Sequence, residues 1–463
     1  MSAALIAYMV VVWVVAPKRV RAGQFFTGKD GSGAEPTLML LIASSAISWI
    51  FAKSIVNSAS LTHGFGLWGG FGYALYYLSF IVVGVAIYLL RRYGDYRSLP
   101  DFMTRRYGIL CMRLFLLAVG IRLFNEVWSN TKVIGLFFGS EGSSGYWGAV
   151  AAFSAFCAAY SIRGGLRGSL VTDGIQMLLA VLLLCIVLGA VAPTLSGGLP
   201  ETTGAQVAGG MTFAALAIVQ SLSYGFHDPV MTDRAFITNP KRMLRAFCAA
   251  ALVGIAFIFL FGLTGSFATK IGHTGGDIMA SITGAVALPA VVVFSLLMLT
   301  SAGSTLDSTF TSSSKLAAID WSAAHDKAVE PDQRQLGRGR VIIAIIAILG
   351  NLPLLSLYFG DQIGPAIIKA TTISGTMVMG LAPIILLCFI KSAGKVSFHL
   401  SFWTGIILGV ALAAGAVPET LAVGSGKYAL SLGVNLFGLV LCSLLYVAGA
   451  LVPGQRAASE AAA

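Results

Sequence analysis

The sequence predicts an all-α polytopic membrane protein, on three observations. Of the 463 residues, 57% are hydrophobic and only 11% charged, against roughly a quarter charged in soluble chains, so polar surface is too scarce to coat a globule in water. Mean hydropathy is +0.86. Apolar runs long enough to cross a bilayer, at least ~18 residues, recur along the chain, and the ~10-residue alternating segments of a transmembrane barrel do not appear.

These runs place spans at 3–16, 37–62, 67–90, 109–138, 146–162, 169–193, 210–232, 245–268, 286–318, 340–359, 365–390, 398–417 and 429–452. The first is short, and with no basic n-region and no cleavage site ahead of it, Ala3–Ala16 reads as a retained span. Linkers carry turn chemistry, as in Gly28-Lys29-Asp30-Gly31-Ser32-Gly33, Gly94-Asp95 and Asn239-Pro240. The tail from Gly454 reads as too short for a cytoplasmic enzyme or sensor domain.

The net charge of +11 reflects basic residues grouped in short loops between spans, as orientation in a membrane requires, and not a nucleic-acid surface. Five of the 30 Lys and Arg lie within or at the ends of apolar runs: Lys53, Arg122, Lys132, Lys315 and Lys369. Of the rest, only Lys270 and Lys427 fall on one side of the alternation, which predicts the N-terminus outside and the C-terminus inside. The outer loops then hold Glu141, Glu201, Asp277, Asp361 and Glu419, and the expected location is the plasma (inner) membrane.

No Walker-type GxxxxGK[ST], HExxH or GxSxG occurs, the histidines are scattered, and the six cysteines sit in or beside apolar runs as small core residues. Enzyme chemistry and ATP-driven transport therefore lack their residues, leaving a transporter, a channel or a membrane-embedded sensor. The Gly-rich Ile162–Gly168 stretch, with Arg163 and Arg167, reads as a cytoplasmic turn, because no strand precedes it to make a phosphate cradle. Gly69-Gly70-Phe71-Gly72 reads as close helix packing.

Five stretches resemble the sodium/solute symporter family, which includes the sodium–proline and sodium–glucose transporters. They are Gln24-Phe25-Phe26-Thr27-Gly28-Lys29; Ser98–Gly108 with Pro100-Asp101-Phe102; Tyr160–Arg167 followed by Thr172-Asp173-Gly174-Ile175-Gln176; Ser223–Phe236 with Asp228-Pro229 and Asp233-Arg234; and Ser304-Thr305-Leu306-Asp307-Ser308 with Asp320. They run in the family's order over roughly residues 20–390. The resemblance implies a LeuT-type fold, in which two inverted five-helix repeats surround a central site and the first and sixth core helices are broken at mid-membrane. It divides the chain into residues 1–36 (accessory span and linker), 37–391 (ten-helix core) and 392–463 (two accessory spans and tail).

The residues themselves support one of the two breaks. Gly225 and Pro229, flanking Tyr224-Gly225-Phe226-His227-Asp228, interrupt helical hydrogen bonding in the sixth core span. In the first core span the break, expected in Ala43–Ser48, rests on the resemblance alone. So do the sodium ligands it implies: the carbonyls of Ala43, Ala46 and Ser301 and the hydroxyls of Ser304 and Thr305. Positions 301, 304, 305 and 308 do lie on one helix face, although small hydroxyl residues also simply let helices approach closely.

A second cation site in some family members maps onto Ser304, Asp307, Ser308 and Asp173. Asp307 departs from that pattern, placing a carboxylate where a hydroxyl is expected. Two neighbouring buried carboxylates repel unless a cation or a proton lies with them, and an unpaired acid at mid-membrane costs about 2.5–3.5 kcal/mol. A second sodium site and a proton-linked site both answer that cost.

Other charges within spans bear on the solute. Lys53 lies in the first core span; in the third, Arg122 and Glu126 at (i, i+4), followed by Asn130 one turn on, form a polar stripe that is either a pocket wall or a self-neutralising Arg122–Glu126 bridge. Tyr224, Phe226, His227 and Asp228 sit at the sixth-span break. A free Lys53 or Arg122 favours a carboxylate on the solute. The expected function is sodium-coupled import of a small polar solute, carboxylate-bearing or zwitterionic, by alternating access, with sodium as coupling ion, no cofactor and no nucleic-acid partner. A proton-coupled symporter using Asp307 and Asp173, and a solute-sensing membrane subunit without transport, are the alternatives.

Overall fold

The computed structural model describes residues 2–322, 331–359 and 374–454, and among these every regular element is a helix. Eight of the helices are long and apolar enough to cross a membrane. A ninth span results if the pair Leu38–Ile47 and Ala52–Phe65, bent by 61°, is counted as one. The Ile109–Leu136 helix is too polar to count among them, because Arg122, Asn125, Glu126 and Asn130 occupy its buried face while Leu110, Leu117 and Ile121 point outward. Of the expected span at 365–390, the part up to residue 373, with Lys369, lies outside the described residues, as does Asp361.

Local chemistry sets where the helices begin and end. Ser98 accepts from the Asp101 amide at 3.1 Å to start Leu99–Tyr107, and Asn239 accepts from Arg242 at 2.9 Å ahead of Pro240, whose missing N–H is no loss in a first turn. The helical stretch Ser144–Leu195 counts 52 residues, about 78 Å at 1.5 Å per residue if it were straight and so over twice a hydrocarbon core. It crosses as two segments because Gly165 interrupts it at φ 52°, ψ −150°. Phe25 lies against Gly165 where a β-carbon would be, so both the left-handed backbone and the space demand glycine.

The sixth core span breaks where Gly225 and Pro229 dictate. Gly204–Tyr224 tightens into a short 3₁₀ turn, Asp228 is extended at φ −102°, ψ 102°, and Pro229–Arg234 restarts the helix. The Asp228 carboxylate caps the restart, accepting from the Val230 and Met231 amides at 3.0 and 3.4 Å.

The break in the first core span differs from the expectation. It lies at Ser48–Phe51, about one turn beyond Ala43–Ser48. No Gly or Pro makes it; aromatic packing and borrowed hydrogen bonds do. Trp49 turns into a cluster with Tyr77, Phe80 and Tyr224, at ring centroid separations of 5.1–6.0 Å. Tyr77 Oη donates to the Trp49 carbonyl at 2.6 Å, Ser301 Oγ donates to the Ile50 carbonyl, and the Ala52 amide donates to Asn130 Oδ1 at 3.0 Å. Three backbone groups lost from the helical ladder thereby regain partners inside the membrane.

Ser2–Val15 packs on the eighth core span (Leu288–Ala318) and on Ser144–Leu195. Its Tyr8 hydroxyl is buried against Gly303 and accepts from Gln176 Nε2 at 2.6 Å. In the Gly69–Gly72 run, a β-carbon on Gly69 would collide with the Leu61 carbonyl oxygen, so the glycine lets two backbones touch. Gly69→Val should therefore cost about 1–3 kcal/mol, read as a lowered thermal midpoint in detergent. Gly148→Ala, where a β-carbon meets nothing within 4 Å, should leave that midpoint unchanged or raise it.

Candidate functional site

Both helix breaks face a cavity of about 670 Å³. Trp49, Phe51 and Lys53 reach it from the first core span, Tyr73, Tyr76 and Tyr77 from Leu67–Tyr93, and Gln220 and Tyr224 from the sixth. Glu419 and Lys427 stand among its lining residues from the loop that precedes Ala429–Ala450. Aromatic rings thus wall the side nearest the breaks, while Lys53, Ser54, Gln220, Thr376, Glu419, Lys427 and Ser431 supply polar groups able to orient a ligand. Tyr76 Oη donates to Gln220 Oε1 at 2.5 Å and Tyr73 Oη shares a 3.0 Å hydrogen bond with Ser54, which fixes two of those walls.

Beneath the cavity four charges from three spans form one lattice. Lys53 Nζ lies 2.7 Å from Glu126 Oε1 and donates to Asn125 Oδ1 at 2.8 Å, leaving one ammonium hydrogen for the cavity. Arg122 pairs with the same Glu126 and donates to Asp228 Oδ2 from Nη2 at 3.1 Å and Nε at 3.3 Å. Its guanidinium also stacks on Phe51 and Tyr224, 5.2 and 4.9 Å from the ring centroids. Two positive and two negative groups balance, so the lattice is neutral as a unit. Arg122, Glu126 and Asp228 are 1–2% exposed and lie behind the wall; Lys53 and Tyr224 are on it. Phe226 and His227 point away into the core, where His227 Nδ1 donates to the Tyr224 carbonyl at 2.5 Å.

A second polar cluster lies between the eighth core span and its neighbours. Ser301, Ser304, Thr305, Asp307 and Ser308 are all buried. Ser304 Oγ donates to Asp173 Oδ1, and Thr305 Oγ1 to the Ser301 carbonyl at 3.1 Å. Ala43 and Ala46 stay inside the Leu38–Ile47 helix, and the Ala46 carbonyl already accepts from the Trp49 and Ile50 amides at 3.1 Å. The carbonyls of Trp49 and Ile50 are among those released at the observed break, and Tyr77 binds the first and Ser301 the second. A set of neutral hydroxyl and carbonyl oxygens beside one carboxylate has the chemistry of a small hard cation's shell.

Asp307 and Asp173 do converge, with a partner the sequence left unassigned. Asp307 accepts from Tyr160 at 2.9 Å, Ser169 at 2.8 Å and Thr172 at 2.9 Å. Asp173 accepts from Ser44 at 2.6 Å and pairs with Arg234 Nη2 at 2.9 Å. Lys315, the basic neighbour of Asp307 in sequence, turns instead to Asp233 at 2.5 Å and Asp320 at 3.4 Å. Arg234 falls two residues past the expected span at 210–232, so no charge inside a span announced it, whereas Ser44 and Ser48 at (i, i+4) and Ser169, Thr172 and Asp173 on one face carried a signal in their spacing. The aromatic wall of Tyr73, Tyr76 and Tyr77 gave none, since core packing produces the same pattern.

No protein-family model and no curated protein sequence matches the chain. Solved structures do. A sodium-coupled sialic acid symporter in a substrate-bound outward-open state aligns over 98% of each chain, with TM-score 0.66 and 15% identity. MhsT in complex with L-phenylalanine aligns over 89% of this chain and 98% of its own, at 0.55 and 15%. Mhp1, a nucleobase-cation-symport-1 family transporter in a closed conformation with bromovinylhydantoin bound, aligns over 96% and 97%, at 0.59 and 12%. The chain therefore has the LeuT-type fold that these transporters share.

The charge lattice makes a direct prediction. Glu126→Gln leaves Lys53 and Arg122 short of a counter-charge and should destabilise the protein by about 3–5 kcal/mol. Lys53→Met in the same background restores neutrality and should recover much of that loss, so a double-mutant cycle read by thermal unfolding must show strong coupling.

Proposed function

We propose that this chain is a secondary active transporter of the sodium/solute symporter family, importing a small polar solute, carboxylate-bearing or zwitterionic, together with sodium. The observation that carries the reading is the meeting of three features at mid-membrane: two broken helices, a 670 Å³ cavity between them, and a buried hydroxyl cluster on the eighth core span facing the first break. The fold shared with a sodium-coupled symporter supports it. Sodium is bound by Ser304 and Thr305 with carbonyls of Ser301 and of the Ala43–Ile50 stretch, and the solute enters between Lys53 and the aromatic wall.

Bound sodium braces the first core helix against the eighth and holds the outward-open state; solute binding lets the bundle rock, and release of the ion to the cytoplasm loosens the brace. The drive is the ion gradient, including about 2.3 kcal/mol per charge per 100 mV. The same reading keeps the ten-helix core at 37–391 within thirteen spans of an inner-membrane protein, N-terminus out and C-terminus in. Proton coupling through Asp307 and Asp173 is a second reading, favoured by the Ser169 hydroxyl, which lies within hydrogen-bond distance of both carboxylates.

Thermal unfolding of the purified protein in sodium, potassium and choline chloride, at matched pH and ionic strength, tests the reading. Sodium alone should stabilise, by about 2.7 kcal/mol at a hundredfold excess over Kd, and Ser304→Ala should weaken the effect, raising the sodium needed for half-saturation at least about tenfold. Stability that follows pH and ignores sodium would transfer the function to protons. Sodium-driven uptake into vesicles then separates a transporter from a sensing subunit.

A further inference from the structure

The surroundings of Arg234 have the form of an ion's coordination shell. Its Nη2 carries two hydrogens but lies within hydrogen-bond distance of four oxygens: Ser308 Oγ at 2.8 Å, Ser48 Oγ and Asp173 Oδ2 at 2.9 Å, and Ser169 Oγ at 3.3 Å. These come from three separate spans. The hydroxyl protons have acceptors elsewhere: Ser48 donates to the Ser44 carbonyl at 2.6 Å, and Ser169 and Ser308 to Asp307 at 2.8 and 3.2 Å. Lone pairs are thus left facing the nitrogen. Nε adds Ser44 at 2.8 Å, and Nη1 is tied to the carbonyl of Val230 at 2.9 Å, one turn back in the inner half of the broken sixth span. The guanidinium is completely buried.

We propose that this oxygen cage is a monovalent-cation position that the chain fills with its own guanidinium, so that the protein binds one free sodium and not two. The inference rests on the sodium-coupled reading for the identity of the free ion, but the cage itself does not depend on it. The charges fit. Asp173 and Asp307 bring two negative charges and Arg234 one positive, while Lys315 is committed to Asp233 and Asp320. The cluster is left one positive charge short, and Ser304, hydrogen-bonded to Asp173, places the primary sodium site directly beside it. One sodium there completes the balance, and a second in the cage would have to displace a guanidinium held by five oxygen partners outside its own helix.

Sodium titrations of thermal stability in the full-length protein, at constant ionic strength and pH with choline as balance, test this without a solute. The wild type should follow a one-site curve, and equilibrium dialysis with radioactive sodium should give one ion per chain. Ser308→Ala, a mild change on the cage wall, should shift half-saturation by less than about twofold, whereas Ser304→Ala should shift it by at least about tenfold. Arg234→Ala should lose stability in choline and recover it in a saturable way with guanidinium or sodium, the sodium curve then requiring two sites. Two sodium ions per wild-type chain, or a Ser308→Ala shift as large as that of Ser304→Ala, would overturn the proposal, as would an Arg234→Ala protein that no small cation rescues. Should Arg234→Ala fail to fold, the ion count and Ser308→Ala still decide. A wild type indifferent to sodium would sink the functional reading instead, while guanidinium rescue of Arg234→Ala would still report on the cage.

Discussion

Everything at the centre of this protein depends on replacing hydrogen bonds that two helices give up in the middle of a membrane. A bilayer core offers no water to an open carbonyl or amide, so a helix breaks there only if neighbouring side chains take over. For the first core span, Tyr77, Ser301 and Asn130 do so from three different helices. For the sixth, Asp228 caps the restarted helix with its own carboxylate. The breaks are consequently joints between spans, and anything that moves a neighbour acts on them.

Charge balance is the second constraint, and it connects the two sites. Asp228 is shared between the backbone it caps and Arg122, so the sixth-span break is built into the neutral lattice under the cavity. Through Glu126 that lattice ends at Lys53, its one member with a hydrogen to spare on the cavity side. Removing a single member costs more than any exposed ion pair contributes, because the partner left behind has no solvent to turn to. An anionic group arriving at Lys53 would compete with Glu126 for it and so be sensed, one bond further on, by Arg122 and the break.

Much of this was legible in the sequence, and the limits have physical causes. Gly225 and Pro229 announce a broken helix because each removes something the helix needs. The Arg122, Glu126 and Asn130 stripe stands out because charge inside a span demands partners. The first-span break gives no such mark: Trp49 and Phe51 bend the chain by what they pack against, and those rings come from residues 28 or more positions away. For the same reason the expected break fell one turn early. His227 and Phe226 were candidates by adjacency to the break, but a 3₁₀ turn changes the helical phase and sends them into the core. Arg234 was visible as a residue; its role as the partner of Asp173, 61 positions earlier in the chain, is a product of topology.

The placement of Arg234 also bears on how the halves of the molecule are held. It is the last residue of the short Pro229–Arg234 helix, and Asp233 beside it is clasped by Lys315 of the eighth core span. Two consecutive residues therefore fasten this half-helix to different partners, one to the serines and Asp173 in the interior, the other to the end of the eighth span. A motion that withdraws the half-helix must break both sets together. The second is partly exposed, so water can compensate it, whereas the first is wholly buried and can be released only if something else supplies a positive charge to Asp173 and Asp307. On the proposed reading that supply is the sodium bound at Ser304, next to Asp173. The ion's occupancy then sets the cost of moving the sixth span as well as bracing the first against the eighth, and both broken helices answer to one bound charge.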